Sequence, residues 1–205
     1  MGRRLRVNGN LFYSEYKDMQ LNFVLAGTIA DTKVTNAGEA TMRGLETDIT
    51  FVATRNLILM LNYAYLDAEI TKAEDKAGND VTETFVFFSA PEHSYTVAAD
   101  WAIAASDWGE LSLNLSYNFM DRRNGGPRLA NVENTFSNSY GLWNGRLSMS
   151  RVPVSRFGTL SFGLWGKNLA DEEYVITSID NIPHSDRSVI WGETRTYGMD
   201  IIYEY

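Results

Sequence analysis

The last dozen residues of the sequence alternate between apolar and polar side chains with a period of two. The apolar or aromatic set comprises Tyr197, Met199, Ile201, Tyr203 and Tyr205. The mostly polar set between them comprises Thr196, Gly198, Asp200, Ile202 and Glu204. Because successive side chains of a strand point to opposite faces, the segment is predicted to be a β-strand with one apolar, aromatic face. Such a strand is typical of a transmembrane β-barrel, whereas an edge strand of a soluble domain is the alternative.

The composition limits which folds and which partners are possible for the chain. The 205 residues include no apolar run of about 18 residues, so no transmembrane helix is predicted. A net charge of -8 argues against nucleic acid as a partner, because phosphate binding needs clustered Lys and Arg. The absence of cysteine excludes a disulfide framework and a thiolate metal site. The basic residues 1–7 precede polar residues 8–10, so no secretion signal is visible, and an exported protein is expected to have been cut from a longer chain.

Seven further segments show the alternation of the terminal one. The strictest spans residues 110–120, in which leucine or an aromatic residue alternates with serine or asparagine. No segment has a convincing helical period of 3.6 residues, so an all-β fold is predicted. The predicted strands span residues 4–16 (with a continuation to 24), 31–53, 57–67, 94–105, 110–120, 140–151, 159–169 and 194–205.

The connections between these strands alternate in length. Short turns at 54–56, 106–109 and 152–157 alternate with long loops at 71–92, 121–137 and 170–193. Short turns on one rim and long loops on the other are typical of an antiparallel up-and-down outer-membrane barrel. Strands of about ten residues also match a tilted membrane crossing. We therefore predict a transmembrane β-barrel segment of about eight strands, with its aromatic face toward lipid and its polar face toward a wet lumen.

Four motifs occur in order along the chain. Residues 36–46 read NAGEATMRGLE, and residues 57–67 form the strand that follows. Residues 165–174 read WGKNLADEEY, and residues 192–198 read GETRTYG. They are similar to the patterns N-A-G-x-A-x-x-x-G-(V/L)-E, V-x-N-L-x-D-x-x-Y and G-x-P-R-T-Y-G. Together these segments resemble the C-terminal part of TonB-dependent outer-membrane receptors.

The resemblance implies a longer protein and a transport function. Members of this family have a signal peptide, an energy-coupling box, a globular plug and a barrel of about 22 strands. Residues 1–205 are therefore expected to be the C-terminal barrel segment, without plug or signal peptide in this chain. The resemblance implies the outer membrane of a Gram-negative bacterium and uptake of an iron-siderophore, cobalamin or glycan. Energy would come from the TonB complex through the missing plug.

The resemblance also assigns a role to the last strand. A terminal aromatic residue is implied to be read by the barrel assembly machinery. The expected assembly strand includes Tyr197, Gly198, Ile201, Tyr203 and Tyr205. Two positions depart from the family pattern: Thr194 replaces the usual proline, and Tyr205 replaces the usual phenylalanine. Tyr205 is therefore expected to be a less typical signal than phenylalanine.

No constellation in the sequence predicts catalysis, a metal site or a cofactor. His93 and His184 have no partner at a metal-ligand spacing and are expected to be ordinary loop residues. The carboxylates of residues 171–173 are adjacent and would point apart, and the acidic segment 74–80 lacks the order of an EF-hand loop. Residues 125–127 lack the Lys-Ser/Thr of a phosphate-binding loop. We expect no enzyme.

Ligand contacts are expected in the long loops and at lumen-facing positions near them. Positive charge and an indole would suit an anionic or aromatic ligand. The candidate contacts are Arg122, Arg123, Arg128, Arg187 and Trp191. Pairing of the loop arginines with lipopolysaccharide phosphate or with acidic loops is the open alternative.

Two other architectures are open at this point. One is an eight-stranded outer-membrane barrel that closes on itself, and the other is a soluble ligand-binding β-barrel or sandwich. The Ser and Asn face of residues 110–120 favours a wide lumen over the first, and long strands with terminal aromatics argue against the second. Dependence on detergent would separate them. An open eight-stranded sheet has two unpaired edges, so an isolated segment is expected to close, pair with another copy or aggregate.

Overall fold

The computed structural model describes residues 4–24, 32–74, 77–84, 86–87, 89–124, 136–155, 158–181 and 186–205. These residues form β-strands and one 3₁₀ turn at Thr82–Thr84, with no α-helix among them. No helix in the described ranges is long and apolar enough to span a membrane. The strands are β1 (Leu5–Val24), β2 (Thr32–Val52), β3 (Leu57–Ala73), β4 (His93–Ser106), β5 (Gly109–Met120), β6 (Arg123–Asn124), β7 (Phe136–Ser137), β8 (Tyr140–Ser155), β9 (Gly158–Lys167), β10 (Val175–Asn181), β11 (Asp186–Trp191) and β12 (Thr196–Glu204).

Eight strands form one antiparallel sheet in the order β1-β2-β3-β4-β5-β8-β9-β12. The two remaining pairs, β6–β7 and β10–β11, are separate small sheets within long connections. Sheet neighbours follow chain order, which confirms the predicted up-and-down architecture. Strands β1 and β12 lie at opposite edges, and in the described part of the chain they do not pair with each other. The sheet is therefore an open segment and not an eight-stranded barrel closed on itself.

Two strands extend beyond their predicted ends. Strand β3 continues past Asp67 to Ala73, because it remains paired with β2 after its apolar alternation has ended. Strand β8 passes through Pro153 to Ser155, where a turn was predicted. A register shift between Met149 and Val152, around Arg151 with its φ of 56°, and a second between Pro153 and Ser155 let β8 bend and continue its pairing with β9. Both extensions depend on pairing with a neighbouring strand. The alternation of side chains within a single segment does not reveal such pairing.

The pairing register aligns apolar side chains into rows across the sheet. One row, from β3 to β12, comprises Leu57, Trp101, Leu113, Leu147, Leu164 and Met199. This face is open: Leu11 is 80% exposed and Leu164 is 60% exposed. Ala40 and Ala73 are the only buried apolar residues among those described. A soluble sheet buries its apolar face against a second layer, so this uncovered face is suited to lipid.

The opposite face carries polar rows. One of them, from β1 to β5, comprises Asn8, Asp48, Asn62, Thr96 and Asn118. The Nδ2 of Asn8 donates to Oδ1 of Asp48 at 3.0 Å, and the hydroxyl of Thr96 donates to Oδ1 of Asn118 at 2.9 Å. Cross-strand hydrogen bonds of this kind stabilise the sheet while leaving the face hydrated. The predicted polar lumen face is thus one continuous surface.

Aromatic rings gather at both ends of the apolar face. Toward the long connections, the rings of Tyr95 and Phe119 stack with centroids 4.9 Å apart, and Tyr117 lies 4.9 Å from Trp143. At the end with the short turns, the rings of Tyr203 and Tyr205 stack with centroids 6.4 Å apart, and Trp108 is 79% exposed. Two aromatic girdles that flank an apolar band are characteristic of a membrane barrel, since these rings favour the lipid–water interface.

Charge marks the end of the apolar band on the side of the long connections. On β3 the outward positions from Leu57 to Tyr65 are uncharged, a span that matches a transmembrane strand of about 9–11 residues. The next outward position is Asp67, which lies opposite Arg43 of β2. The Nε of Arg43 donates to Oδ2 of Asp67 at 2.8 Å. The uncharged apolar surface of β3 therefore ends at this pair.

Candidate functional site

The polar face of β1 to β5 lines an open concavity of about 580 Å³. Its hydrogen-bonding side chains include carboxamides, hydroxyls and carboxylates but no cationic group. They are Asn8, Asn10, Glu46, Asp48, Asn62, Ser94, Thr96 and Asn118. Such a surface can hydrogen-bond a hydrated ligand or a polar protein surface, and it offers no activated nucleophile.

A second polar feature ties the last strand to the rest of the sheet. Arg146 of β8 reaches across β9 to Asp200 of β12 and donates through Nη1 at 2.8 Å and through Nη2 at 2.6 Å. Gly163 lies between them in β9, and a Cβ there would collide with both side chains. Arg146 also donates from Nε to the hydroxyl of Ser148 at 3.1 Å. The glycine thus opens the space in which a bidentate ion pair spans three strands. This pair is not predictable from the sequence alone, because its partners lie in separate strands.

The long connections meet around Arg123 and Asn124. Arg123 is 8% exposed and Asn124 is 4% exposed. The Nη2 of Arg123 donates to the carbonyl oxygen of Ile176 at 3.0 Å, and its guanidinium lies 5.4 Å from the centroid of the Tyr140 ring. The Tyr140 ring lies 4.3 Å from that of Tyr174. Burial raises the pKa of the Tyr174 phenol, which favours its neutral form.

The predicted ligand contacts do not lie in one common site in the described structure. Arg122 is exposed, with its guanidinium 4.0 Å from the centroid of the Phe136 ring, whereas Arg123 is buried. Trp191 is 61% exposed at the end of β11. Arg187 pairs through its backbone with β10, and Arg128 lies outside the described residues. Sequence reasoning missed Tyr140, Tyr174 and Ile176, which hold Arg123 in place. Contact with a ligand stays a prediction for all five residues.

The two histidines do not meet in a described site. The Nδ1 of His93 lies 2.9 Å from the hydroxyl of Tyr63 on the aromatic girdle, and its ring lies 5.3 Å from that of Tyr65. His184 lies outside the described residues. Across the ranges that the structure covers, no cluster of three His, Cys, Asp or Glu residues is arranged to hold a metal ion.

The family model for the TonB-dependent receptor-like β-barrel matches residues 1–169. The chain belongs to this family. Three solved receptors share the fold. The ferric yersiniabactin uptake receptor FyuA from Yersinia pestis is 19% identical, with a TM-score of 0.74 over 100% of this chain and 28% of that chain. The siderophore receptor PiuA from Acinetobacter baumannii is 17% identical, with a TM-score of 0.69 over 98% of this chain and 26% of that chain. The ferric-catecholate import receptor Fiu from E. coli K12 is 20% identical, with a TM-score of 0.66 over 98% of this chain and 25% of that chain.

These findings confirm the predicted family and the antiparallel barrel fold. At such identities the solved structures establish the fold alone. The chain spans about a quarter of the length of these TonB-dependent receptors.

The receptor motif of residues 165–174 forms a compact corner that joins β9 to β12. Asn168 is 3% exposed and has a left-handed φ of 49°. Its Nδ2 donates to the carbonyls of Glu172 and Glu193 at 2.9 and 3.1 Å, and its Oδ1 accepts from the backbone N–H of Glu172 at 2.8 Å. Asp171 accepts from the backbone N–H of Arg195 at 3.1 Å. The motif therefore fixes the start of the last strand.

Replacing Asn168 should destabilise the TonB-dependent receptor barrel. We expect Asn168→Ala to lower the free energy of unfolding by about 1–3 kcal/mol, because buried backbone groups lose their partners and alanine is strained at this φ. Asn168→Gly should lose the hydrogen bonds without the strain and therefore cost less. Urea titration of the complete gene product in lipid vesicles measures both. Asn118→Ala, which removes one cross-strand hydrogen bond, is the control, and an equal loss for Asn118→Ala and Asn168→Ala would contradict this role.

The last strand is paired on one side only in the described structure. It pairs with β9 from Thr196↔Lys167 to Glu204↔Thr159. Along its apolar face Tyr197, Ile201 and Tyr203 are 67%, 61% and 52% exposed. Gly198 lies under the indole of Trp165 on the opposite face, where a Cβ would collide with the ring. The predicted assembly strand thus presents an ordered free edge and an aromatic end, and its recognition by an assembly machinery stays a prediction.

Proposed function

We propose that the chain forms part of the outer-membrane barrel wall of a receptor that takes up a scarce ligand with energy from TonB. The observation that carries this proposal is the two-faced sheet, with apolar rows and aromatic rings on one side and a polar wall on the other. Family membership supports a receptor. In this proposal the apolar face contacts lipid in the outer membrane of a Gram-negative bacterium.

An iron-siderophore complex is the ligand class that we favour. FyuA, Fiu and PiuA are described as ferric yersiniabactin, ferric-catecholate and siderophore receptors, and FecA as a ferric citrate transporter. Such chelates are bulky and polar, and many are anionic, which suits a wide hydrated lumen beneath loops that expose cationic and aromatic side chains. Arg122 and Trp191 are the exposed candidates. Cobalamin and glycans are the other classes to test.

The remaining partners follow from the same architecture. A plug would fill the polar lumen and carry the coupling to TonB, and β12 would present its free edge and terminal aromatic residue to the barrel assembly machinery. The polar wall offers hydrogen bonds but no arranged acid, base or nucleophile in its described part. We therefore propose a transporter component that is neither an enzyme nor a nucleic-acid-binding protein and that needs no cofactor or metal of its own.

Uptake of radiolabelled iron tests this proposal. Cells that express the complete gene product are supplied with ferric yersiniabactin, a ferric catecholate or ferric citrate, with and without functional TonB. We expect uptake of one chelate class, and loss of that uptake without TonB. Trp191→Ala should weaken its binding about tenfold, as expected for an aromatic contact at a binding surface.

Trp108→Ala is the matched control, because Trp108 is also exposed but lies in a short turn on the opposite rim. It should leave binding unchanged. Uptake that is independent of TonB would contradict the energised mechanism. Binding of labelled cobalamin or an oligosaccharide, with no binding of any ferric chelate, would overturn the favoured ligand class.

A further inference from the structure

Three long connections converge on one buried pair of residues. Arg123 and Asn124 form β6, at the start of the connection between β5 and β8. Their low exposure, 8% and 4%, contrasts with the open surface of most of the sheet. Ser137 of β7, which pairs with Arg123, and Ser178 of β10, which contacts β7, are fully buried as well. Buried polar side chains in a region of loops indicate a packed unit and not three independent segments.

Each of the other two connections is bonded to this pair. In the connection between β3 and β4, the backbone N–H of Ser89 donates to the carbonyl of Asn124 at 2.8 Å. In the connection between β9 and β12, the carbonyl of Ile176 accepts from Nη2 of Arg123 at 3.0 Å. Tyr140, the first residue of β8, packs against Tyr174 in the same connection as Ile176, and this contact reinforces the second of these links. Arg123 and Asn124 therefore join loops that are far apart in sequence.

An arginine side chain can make both of the contacts found at this position, one to a carbonyl and one to a ring. Burying a cation is costly unless hydrogen bonds and aromatic faces replace its water. The Arg123 guanidinium donates one hydrogen bond, from Nη2 to a carbonyl, and lies 5.4 Å from one ring, that of Tyr140, whereas its buried Nη1 has no hydrogen-bond partner among the described residues. A planar guanidinium can donate from its edge while its face meets a ring, whereas a lysine ammonium cannot combine the two in the same way.

The geometry points to Arg123 as a positioning residue that ties the connection between β9 and β12 to the Asn124 backbone, which holds the connection between β3 and β4, so that the described parts of the three connections move as one unit above the lumen. This inference rests on the proposed function only in taking that unit to face the ligand. The neighbouring Arg122 differs, because its guanidinium lies over Phe136 within its own connection. Arg122 is exposed and can meet a ligand, while Arg123 sets the arrangement that the ligand meets.

Distance measurements between two spin labels test the coupling. The chain has no cysteine, so labels can be placed at Glu83→Cys and Ile190→Cys, which are exposed positions in the first and third connections. The complete gene product, with any other cysteine replaced by serine, is studied in lipid nanodiscs without ligand or TonB. We expect one narrow distance population in the unmodified background. Arg123→Met, which keeps the aliphatic stem but removes the donors and the charge, should replace it with a broad distribution.

Two further variants make the result decisive. Arg123→Lys should give an intermediate distribution, because an ammonium can still donate to the Ile176 carbonyl. Arg122→Ala should retain the narrow distribution. A narrow distribution in a correctly assembled Arg123→Met protein would overturn the inference, and if that variant fails to assemble, an unchanged distribution in Arg123→Lys would do so. Since no transport is measured, failure here is distinguishable from failure of the proposed function.

Discussion

Arginine at position 99 should disrupt the barrel, whereas arginine at position 98 should be tolerated. Both residues are alanines near the middle of β4, but they point to opposite faces. Ala99 lies in an apolar row between Leu59 and Leu115. We expect Ala99→Arg to cost about 2–4 kcal/mol in lipid, because it places a charge in the hydrocarbon region.

Ala98 provides a control that is matched in residue type and depth. It pairs with Met60 and Ser116 on the polar face, so its arginine side chain would enter water. Urea titration in lipid vesicles and the heat-sensitive gel mobility of the complete gene product measure the two effects. Equal destabilisation by the two substitutions would contradict the assignment of the faces. A larger effect at position 98 would reverse it and place lipid on the polar side.

Reversing the charge of Asp200 should prevent β12 from pairing with β9 in its native register. The pairing places Asp200 opposite Gly163, and the Arg146 guanidinium crosses that glycine to reach it. A shift of one residue turns a strand's side chains to the wrong face, and a shift of two removes the carboxylate from the arginine. Asp200→Arg brings two guanidinium groups together and should strongly reduce the assembled fraction. Its effect should exceed that of Asp200→Asn.

A charge exchange distinguishes this ion pair from a general need for the two residues. Arg146→Asp combined with Asp200→Arg restores opposite charges across Gly163 and should recover part of the assembled fraction lost in either single variant. The fraction can be followed by heat-sensitive gel mobility. If the double variant assembles no better than Asp200→Arg alone, the pair does not fix the register. Arg151→Asp, which disrupts the exposed pair with Glu110 near a short turn, is the control and should have a small effect.

The sequence predicted the elements whose cause lies within one segment. The strict alternation of residues 110–120 is sufficient to predict β5, and the lengths of the connections predict how the strands are ordered. Pairing between strands was not predictable in this way. The extension of β3 to Ala73 depends on β2, and the hairpin of β10 and β11 lies where only a loop was expected.

The same limit applied to the candidate site. Sequence reasoning found the arginines of the long loops but did not distinguish Arg122 from Arg123, because adjacent residues of the same type have the same local pattern. Their difference arises from Ile176 and Tyr140, which the fold brings to Arg123 from other connections. The Arg146–Asp200 pair was missed for a related reason. Two residues that are joined across an intervening strand have no fixed separation along the sequence.

The length of the first hairpin has a consequence at the cell surface. Strand β1 continues to Val24, and its pairing with β2 persists as far as Val24↔Thr32. The outward charged row begins where Tyr13 pairs with Arg43, so the later part of this hairpin lies beyond the apolar band. At a rise of about 3.3 Å per residue, it extends for roughly 40 Å along the strand. In an outer membrane, that ribbon would rise well above the lipid and into the sugar layer.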